Sequence, residues 1–187
     1  MSILLLLTIQ YTNYYYYYYY YMANAASKEF TVAQTVAITN ATTSATISLS
    51  PYVDPGDNQG IEITRVDYIF HNSSDLLPYE SATAFGASVQ LKDNVEGGLI
   101  SFENIHLVSS ASYDNSAAYV ITAGESDVFP DTLPGPGRTV VNDDLEIVSL
   151  CSDGISDFAC TVRVTMRIIK LTKRNWMQIA LQTVADN

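Results

Sequence analysis

The chain has 187 residues, with nine Lys and Arg against twenty Asp and Glu, and a formal net charge of −11 at neutral pH. A strongly acidic chain disfavours general binding to nucleic-acid phosphates and favours solubility. The chain has only two cysteines and two histidines. The cysteines cannot form a zinc site alone, and no histidine lies near them in the sequence.

The first 21 residues differ from the rest. Eight tyrosines, Tyr14–Tyr21, follow the short apolar block Ile3–Ile9. A block of about seven residues is too short for a membrane span of roughly 20, and no cation precedes it as in a secretory signal. Within these runs, Leu4–Leu7 and Tyr14–Tyr21 can be encoded by one AT-only triplet repeat read in different frames. Residues 1–21 are therefore predicted to be a low-complexity leader outside the fold, with a targeting role or an ordered segment as alternatives.

Residues 22–187 are rich in Thr, Val, Ile, Ser and Ala, and turn clusters interrupt them at fairly regular intervals. This composition is typical of strands and turns, and its length suits one domain. It predicts a single antiparallel sandwich or barrel at 22–187. About eight strands are expected, at 30–38, 43–50, 61–71, 83–91, 98–108, 117–122, 139–150 and 158–170.

The third predicted strand changes the parity of its apolar residues. Ile61 and Ile63 fall on one face, whereas Val66 and Tyr68 fall on the other. A bulge near Thr64–Arg65 reconciles the two halves, since one extra residue reverses the alternation. The alternative is a strand that is apolar on both faces.

The last predicted strand alternates clearly, with Val162, Val164, Met166 and Ile168 on one face. A helix is predicted after it, because Thr172 suits the N-cap and apolar residues then recur at helical spacing. Lys173 and Arg174 would lie in the first turn, where the helix dipole disfavours cations. A continued strand is the alternative.

A basic cluster occupies this last strand and the helix start. The segment from residue 161 onward has five cations and one carboxylate, a net +4, which leaves −15 for the rest of the chain. We expect the cluster to contact a phosphate surface, an acidic partner or a neighbouring copy, unless it is only a solvated face. Its members are Arg163, Arg167, Lys170, Lys173 and Arg174.

Cys151 and Cys160 flank a segment with an Asp153-Gly154 turn signal. The pattern predicts a hairpin that places the two cysteines face to face. A reduced, partly buried pair and a disulfide both remain open.

No sequence motif for catalysis is present, and neither a cofactor nor an enzymatic activity is expected. His71 and His106 lie 35 positions apart and are interpreted as ordinary polar strand residues. The acidic loop "DPGDNQGIE" supplies oxygen ligands suited to calcium, although its spacing is not that of an EF-hand. The weak calcium candidates are Asp54, Asp57, Asn58 and Glu62.

A stiff loop, "PDTLPGPGRTV", has Pro130, Pro134 and Pro136. Because proline lowers the entropy lost when a segment becomes ordered, this loop suits contact with a neighbour. A long inter-strand crossing is the simpler interpretation.

The strand count, the crossing loop rich in Pro and Gly, and the closing run "VRVTMRIIKLTKRNWMQIAL" resemble single jelly-roll capsid (coat) proteins of small icosahedral viruses. The resemblance covers most of residues 30–181. It implies an all-β fold: an eight-stranded antiparallel β-sandwich of jelly-roll type with a short C-terminal helix. It also implies a virion subunit that assembles with copies of itself and in some cases with a second coat protein.

One departure concerns the genome. The start "MANAASKEFTVAQ" has a single Lys and lacks the arginine-rich arm of many capsid proteins. Direct nucleic-acid binding by an N-terminal arm is therefore not expected. An inner membrane, a second protein or the C-terminal basic cluster would have to hold the genome.

The alternative function is a secreted or cell-surface β-sandwich that binds carbohydrate or mediates adhesion. Sequons at Asn40 and Asn72 fit it, and a sandwich-fold hydrolase is a more remote option. A sugar platform would need exposed aromatic rings, for which the candidates are Tyr52, Tyr79, Tyr113 and Tyr119.

Overall fold

A computed structural model describes residues 26–79, 81, 83–94, 97–115, 125–129 and 137–185, with backbone only for 125–129 and 182–185. The strands are β1 (Phe30–Ala37), β2 (Thr43–Ser48), β3 (Gln59–Asn72), β4 (Phe85–Lys92), β5 (Leu107–Asn115), β6 (Glu125–Phe129), β7 (Arg138–Val140), β8 (Asp144–Cys151) and β9 (Phe158–Lys170). Helix α1 (Lys173–Ala185) follows β9.

The strands form two antiparallel sheets. The first has the order β1-β9-β3-β7, and the second has the order β2-β8-β4-β5-β6. The chain crosses between the sheets at every connection except β4–β5 and β5–β6, which is the arrangement of a jelly roll. The predicted fold class is confirmed, although nine strands are described: β6 pairs with β5 where the sequence predicted a connection, and one predicted strand is divided into β7 and β8.

Two predicted strands differ from the structure, and a third cannot be compared with it. The strand expected at 98–108 is wrong, because residues 97–106 connect β4 to β5 and the strand begins at Leu107. The strand expected at 139–150 is two strands, since β7 belongs to the first sheet and β8 to the second. The strand expected at 117–122 lies outside the described residues.

The bulge predicted in β3 is confirmed. The register of β3 against β9 shifts between Ile63 and Arg65. The Thr64 hydroxyl in the bulge donates a hydrogen bond to the carbonyl oxygen of Thr165 at 3.3 Å. Ile63 before the bulge is fully buried, and Val66 after it packs against the core, so both halves of β3 face the interior.

The core lies between the two sheets. Val162, Val164 and Met166 of β9 are fully buried, as the alternation predicted, and so are Leu145 and Ile147 of β8. At one end of the core, five aromatic rings pack against one another. These rings belong to Phe70, Tyr79, Phe85, Tyr113 and Phe158.

The register of β3 and β9 defines two opposite ends of the sandwich. At one end Asn72 pairs with Phe158, and at the other end Gln59 pairs with Lys170. The first end has the connections β1–β2, β3–β4 and β8–β9, and we call it the β8–β9 end. The second end has the connections β2–β3, β4–β5 and β7–β8, and because α1 starts there we call it the helix end.

The core predicts a large difference between two leucines. Replacing the fully buried Leu91 by alanine should lower the free energy of unfolding by about 2–5 kcal/mol, because it leaves a cavity between the sheets. The control is Leu77→Ala, where the side chain is 61% exposed and the loss should stay within about 0.5 kcal/mol. Urea unfolding followed by circular dichroism measures both. Equal losses would contradict the core assignment.

Candidate interaction surfaces

The structure divides the predicted basic cluster. Arg167 is half-buried, and its Nε donates to a carboxylate oxygen of the buried Glu62. Lys170 lies 3.8 Å from Asp57, and both side chains are exposed. Exposed pairs of this kind contribute little to stability. Arg167 therefore stabilises the fold through its ion pair with Glu62, whereas Lys170 forms only an exposed ion pair.

The other three cations of the cluster are exposed and form no ion pair with any residue that the structure describes. Arg163 lies on the outer face of the first sheet, in register with Asp67. Lys173 and Arg174 begin α1, and the first turn has no acidic residue. Because the helix dipole disfavours cations there, these two residues do not serve helix stability and are available to a partner.

Helix α1 presents one exposed stripe. The predicted N-cap is confirmed, since the Thr172 hydroxyl accepts a hydrogen bond from the backbone N–H of Asn175 at 3.2 Å. Lys173, Met177 and Leu181 follow at intervals of four residues and therefore share a face. Met177 is 49% exposed and Leu181 is 64% exposed. Lys173, Arg174, Met177 and Leu181 are called the helix stripe below.

At the β8–β9 end, two leucines point into solvent. Leu76 is 72% exposed and Leu77 is 61% exposed. Leu76 has a φ of 62°, a left-handed conformation that costs a side-chain residue about 1–2 kcal/mol. The turn is held by Asn72, whose N–H donates to the Leu77 carbonyl at 2.8 Å, and by Asp75, which accepts from the Leu77 N–H at 3.0 Å. A well-fixed backbone thus displays both apolar side chains.

The same end is acidic. The connections at residues 38–42, 73–84 and 152–157 have no Lys or Arg, whereas Asp75, Asp153 and Asp157 are exposed. The last two connections lie side by side, because the Ser73 N–H donates to the Asp157 carbonyl at 2.7 Å. Asp75, Leu76, Leu77, Asp153 and Asp157 are called the acidic apolar patch below.

A buried ion pair fastens the β4–β5 connection to the outer face of the second sheet. Lys92 Nζ lies 2.9 Å from a carboxylate oxygen of Glu146, and the two side chains are 0% and 5% exposed. Lys92 also donates to the carbonyl of Gly98 at 3.0 Å. Beside it, the Gln90 side chain donates to the Ile100 carbonyl at 2.8 Å and accepts from the Ile100 N–H at 2.7 Å. This network could not be predicted from the sequence, because charges on the outer face of a strand are usually solvated.

Asp93 joins both ends of this connection to the other sheet. One carboxylate oxygen lies 2.8 Å from Nδ1 of His106, and the other lies 2.6 Å from a guanidinium nitrogen of Arg138 on β7. The second histidine, His71, also has a hydrogen-bond partner at each ring nitrogen. Nδ1 lies 2.9 Å from the Asn72 carbonyl oxygen, and Nε2 lies 2.8 Å from the Thr161 hydroxyl. Both histidines therefore hold local structure.

The calcium candidates do not form a ligand set. Glu62 is buried against Arg167, and an Asp54 carboxylate oxygen accepts from the Gly56 N–H at 2.8 Å. Asp57 is exposed beside Lys170, and Asn58 has a φ of 52° in the same turn. Over the described ranges, no three residues of the types His, Cys, Asp and Glu are grouped to hold a metal. Calcium binding by these four residues therefore stays a prediction, and their contacts in the structure do not support it.

The predicted hairpin between the two cysteines is also wrong. Residues 152–157 connect β8 of the second sheet to β9 of the first, so the chain crosses between layers. Cys151 and Cys160 are both free thiols, and both are buried. Burial raises the pKa of the Cys160 thiol to about 12. The thiols belong to the core and not to a surface site.

Of the tyrosines considered for a sugar platform, one described ring is buried and two are half-buried against other rings. Tyr113 is buried, and the Tyr79 ring packs 4.3 Å from that of Phe158. Tyr52 packs 4.8 Å from Phe30. Tyr119 lies outside the described residues, and so do the three prolines Pro130, Pro134 and Pro136.

No protein-family model matches the sequence, and neither does any curated protein. The structure is similar to VP1 of Trichodysplasia spinulosa-associated polyomavirus, with 9% identity, coverage of 79% of this chain and 98% of the other, and a TM-score of 0.39. For the structure of tomato aspermy virus the identity is 11%, the match covers 76% of this chain and 81% of the other, and the TM-score is 0.41. For the P-domain of Macrobrachium rosenbergii nodavirus the identity is 13%, the match covers 79% of this chain and 96% of the other, and the TM-score is 0.29.

All three are structures of viral capsid proteins, the class that the sequence resembles. The likeness is distant, and the assignment of a jelly roll rests on the strand order given above. Among the residues described, no helix has the length and apolar character needed to cross a membrane.

The buried ion pair predicts a non-additive pair of substitutions. Glu146→Gln should lower the free energy of unfolding by about 3–5 kcal/mol, because it leaves the Lys92 ammonium buried without its carboxylate. The double variant Lys92→Met/Glu146→Leu should lose less than the single variant, because it leaves no buried charge. As a control, Arg65→Gln at the exposed Arg65–Asp67 pair should cost less than about 1 kcal/mol. A double variant that loses as much stability in urea unfolding as Glu146→Gln, or more, would contradict the pairing.

Cys160 predicts a dependence of stability on alkaline pH. Its pKa rises from an ordinary value of 9.0 to about 12 on burial, so the folded state keeps the proton that the unfolded state releases. The stability is complete below pH 9.0 and declines as the pH rises toward about 12. Urea unfolding at about pH 8 and about pH 10 should show a steeper decline for the wild type than for Cys160→Val. Parallel declines would contradict the assignment.

Proposed function

We propose that the protein is a structural virion protein, a capsid subunit that assembles with copies of itself into an icosahedral shell. The observation that carries the proposal is the pair of different exposed surfaces at opposite ends of the sandwich. One end displays Leu76 and Leu77 among carboxylates, and the other displays Met177 and Leu181 beside cations. A repeating shell needs two unlike patches on each subunit, since heterologous contacts generate rings and larger assemblies.

The jelly roll supports the same proposal, since capsid proteins and lectins are two of its common uses. The lectin use corresponds to the alternative function, a secreted or cell-surface binding module. Lectin-like binding would need exposed rings, and Tyr52, Tyr79 and Tyr113 are instead packed against neighbouring aromatic or core residues. Capsid assembly is therefore the better supported function, with the virion as the location.

A non-enzymatic role fits the chemistry of the described residues. The two histidines of the chain, His71 and His106, are held by Thr161 and Asp93, respectively. Glu62 and Glu146, two of the most buried carboxylates, are each paired with a cation. These groups contribute to folding, since the Thr161 hydroxyl beside His71 is also hydrogen-bonded to the Thr35 hydroxyl of β1 at 2.8 Å.

Self-association tests the proposed function. Size-exclusion chromatography with light scattering on the full chain should show oligomers whose size grows with protein concentration. Negative-stain microscopy of the same fractions should show rings of five or six subunits, or closed shells. The charged patches predict that the size distribution responds to salt, because screening weakens exposed charge pairs. A monomer at all concentrations and salt levels would contradict a capsid role for the chain on its own.

A glycan-binding assay distinguishes the alternative function, a carbohydrate-binding or adhesion module, from the capsid role. A binding module would remain a monomer or a small fixed oligomer and would retain specific glycans on an array. A capsid subunit without receptor function would assemble and retain none.

A further inference from the structure

We propose that the helix stripe of one copy docks on the acidic apolar patch of the next copy, in a head-to-tail contact. The inference rests on the proposed function and names the contact that would carry assembly. It assigns a role to Lys173 and Arg174, whose place in the first turn of α1 does nothing for the helix.

The two surfaces lie at opposite ends of the sandwich. The helix stripe follows Lys170, which pairs with Gln59 at the helix end. The acidic apolar patch adjoins Asn72 and Phe158, which pair at the β8–β9 end. A contact between opposite ends joins unlike patches, so each copy keeps one free stripe and one free patch for further neighbours. Such a contact propagates into a ring or a larger assembly.

The charges of the two surfaces are complementary. Asp75, Asp153 and Asp157 lie in connections that have no Lys or Arg, and Lys173 and Arg174 lie in a helical turn that has no Asp or Glu. Carboxylates of a neighbour would also meet the positive end of the α1 dipole. The docked copy thus offsets the unfavourable placement of the two cations.

The apolar parts of the surfaces match as well. Met177 and Leu181 on the stripe are 49% and 64% exposed, and Leu76 and Leu77 on the patch are 72% and 61% exposed. Burial of apolar surface supplies most of the affinity of a contact, whereas the surrounding charges fix its orientation. The strained backbone at Leu76 is the kind of local cost that is retained where a side chain has to be displayed.

The charge balance of the whole chain favours a second copy over other occupants. Outside the C-terminal segment the chain carries a net −15, which repels an anionic membrane or a nucleic acid from most of the surface. A second copy instead brings its own carboxylates to the two cations. Membrane and nucleic-acid binding are therefore treated as outcomes that would overturn the inference.

Complementary charge reversal in the full chain tests the contact. Lys173→Glu/Arg174→Glu reverses the stripe, and Asp75→Lys/Asp153→Lys reverses the patch. Each variant alone should associate at least about tenfold more weakly than the wild type by light scattering, since like charges then face each other. Mixed in equal amounts, the two variants should assemble again, because both alternating contacts pair opposite charges.

Two controls separate loss of the contact from a change in net charge and from misfolding. Lys28→Glu/Arg65→Glu changes the net charge by the same amount as Lys173→Glu/Arg174→Glu, at exposed positions outside both surfaces, and it should assemble as the wild type does. Circular dichroism and thermal unfolding check that each variant is folded. If a charge reversal misfolds, Met177→Ser/Leu181→Ser takes its place and should weaken association without altering any charge.

The outcomes separate this inference from the proposed function. A wild type that assembles, together with a folded Lys173→Glu/Arg174→Glu variant that assembles equally, would contradict this contact and leave the proposed function standing. A mixture that stays as dissociated as its components would also contradict it. Wild-type binding to phosphatidylserine vesicles or to single-stranded DNA that this variant loses, with unchanged self-association, would assign the stripe to that occupant. A wild type that stays monomeric would contradict both proposals.

Discussion

The pairing of β9 with two neighbours sets the geometry of the molecule. β9 pairs with β1 over Ala159–Met166 on one side and with β3 along its whole length on the other, so one strand fixes the register of the first sheet. The buried side chains of β9, such as Val164 and Met166, also form one wall of the core. The same strand starts at the β8–β9 connection and ends at α1. The two candidate surfaces are therefore a sandwich length apart because β9 is continuous.

Buried charge has a different part in the structure. The Lys92–Glu146 pair and the Asp93 contacts with His106 and Arg138 occupy places that apolar side chains could fill. A buried pair seldom adds much stability over apolar residues, because desolvation offsets its attraction. Its directional bonds do limit the conformations that the β4–β5 connection can adopt. The network thereby turns a long connection into a fixed covering of the second sheet.

Much of the fold could be predicted because its signals are local. Alternation identified β9, and the change of parity in β3 identified the bulge between Ile63 and Arg65. The N-cap at Thr172 was readable from the residue type and the helical spacing after it. In each case the structure depends on residue types and spacings within a short stretch of sequence.

The errors arose where the outcome depended on distant contacts. The run from Gly98 onward is apolar enough to suggest a strand, yet its backbone bonds to the Gln90 side chain and not to another strand. The Asp153-Gly154 signal correctly marks a turn, but a turn does not reveal that β8 and β9 belong to different sheets. The acidic apolar patch was equally hidden, since the fold alone brings residues 152–157 beside residues 73–79.

The uneven charge bears on how copies of this chain could meet. Two subunits that each carry −11 repel one another in most orientations, and this repulsion acts over roughly 8 Å at physiological salt. Of the nine cations, Lys92, Arg138 and Arg167 are held in ion pairs with buried carboxylates, so the exposed positive charge is concentrated on β9 and the start of α1. When this positive region of one subunit faces the carboxylate-rich end of another, the two subunits attract each other, whereas in most other orientations they repel. Net charge and its placement would then act together, the first suppressing random aggregation and the second selecting one orientation.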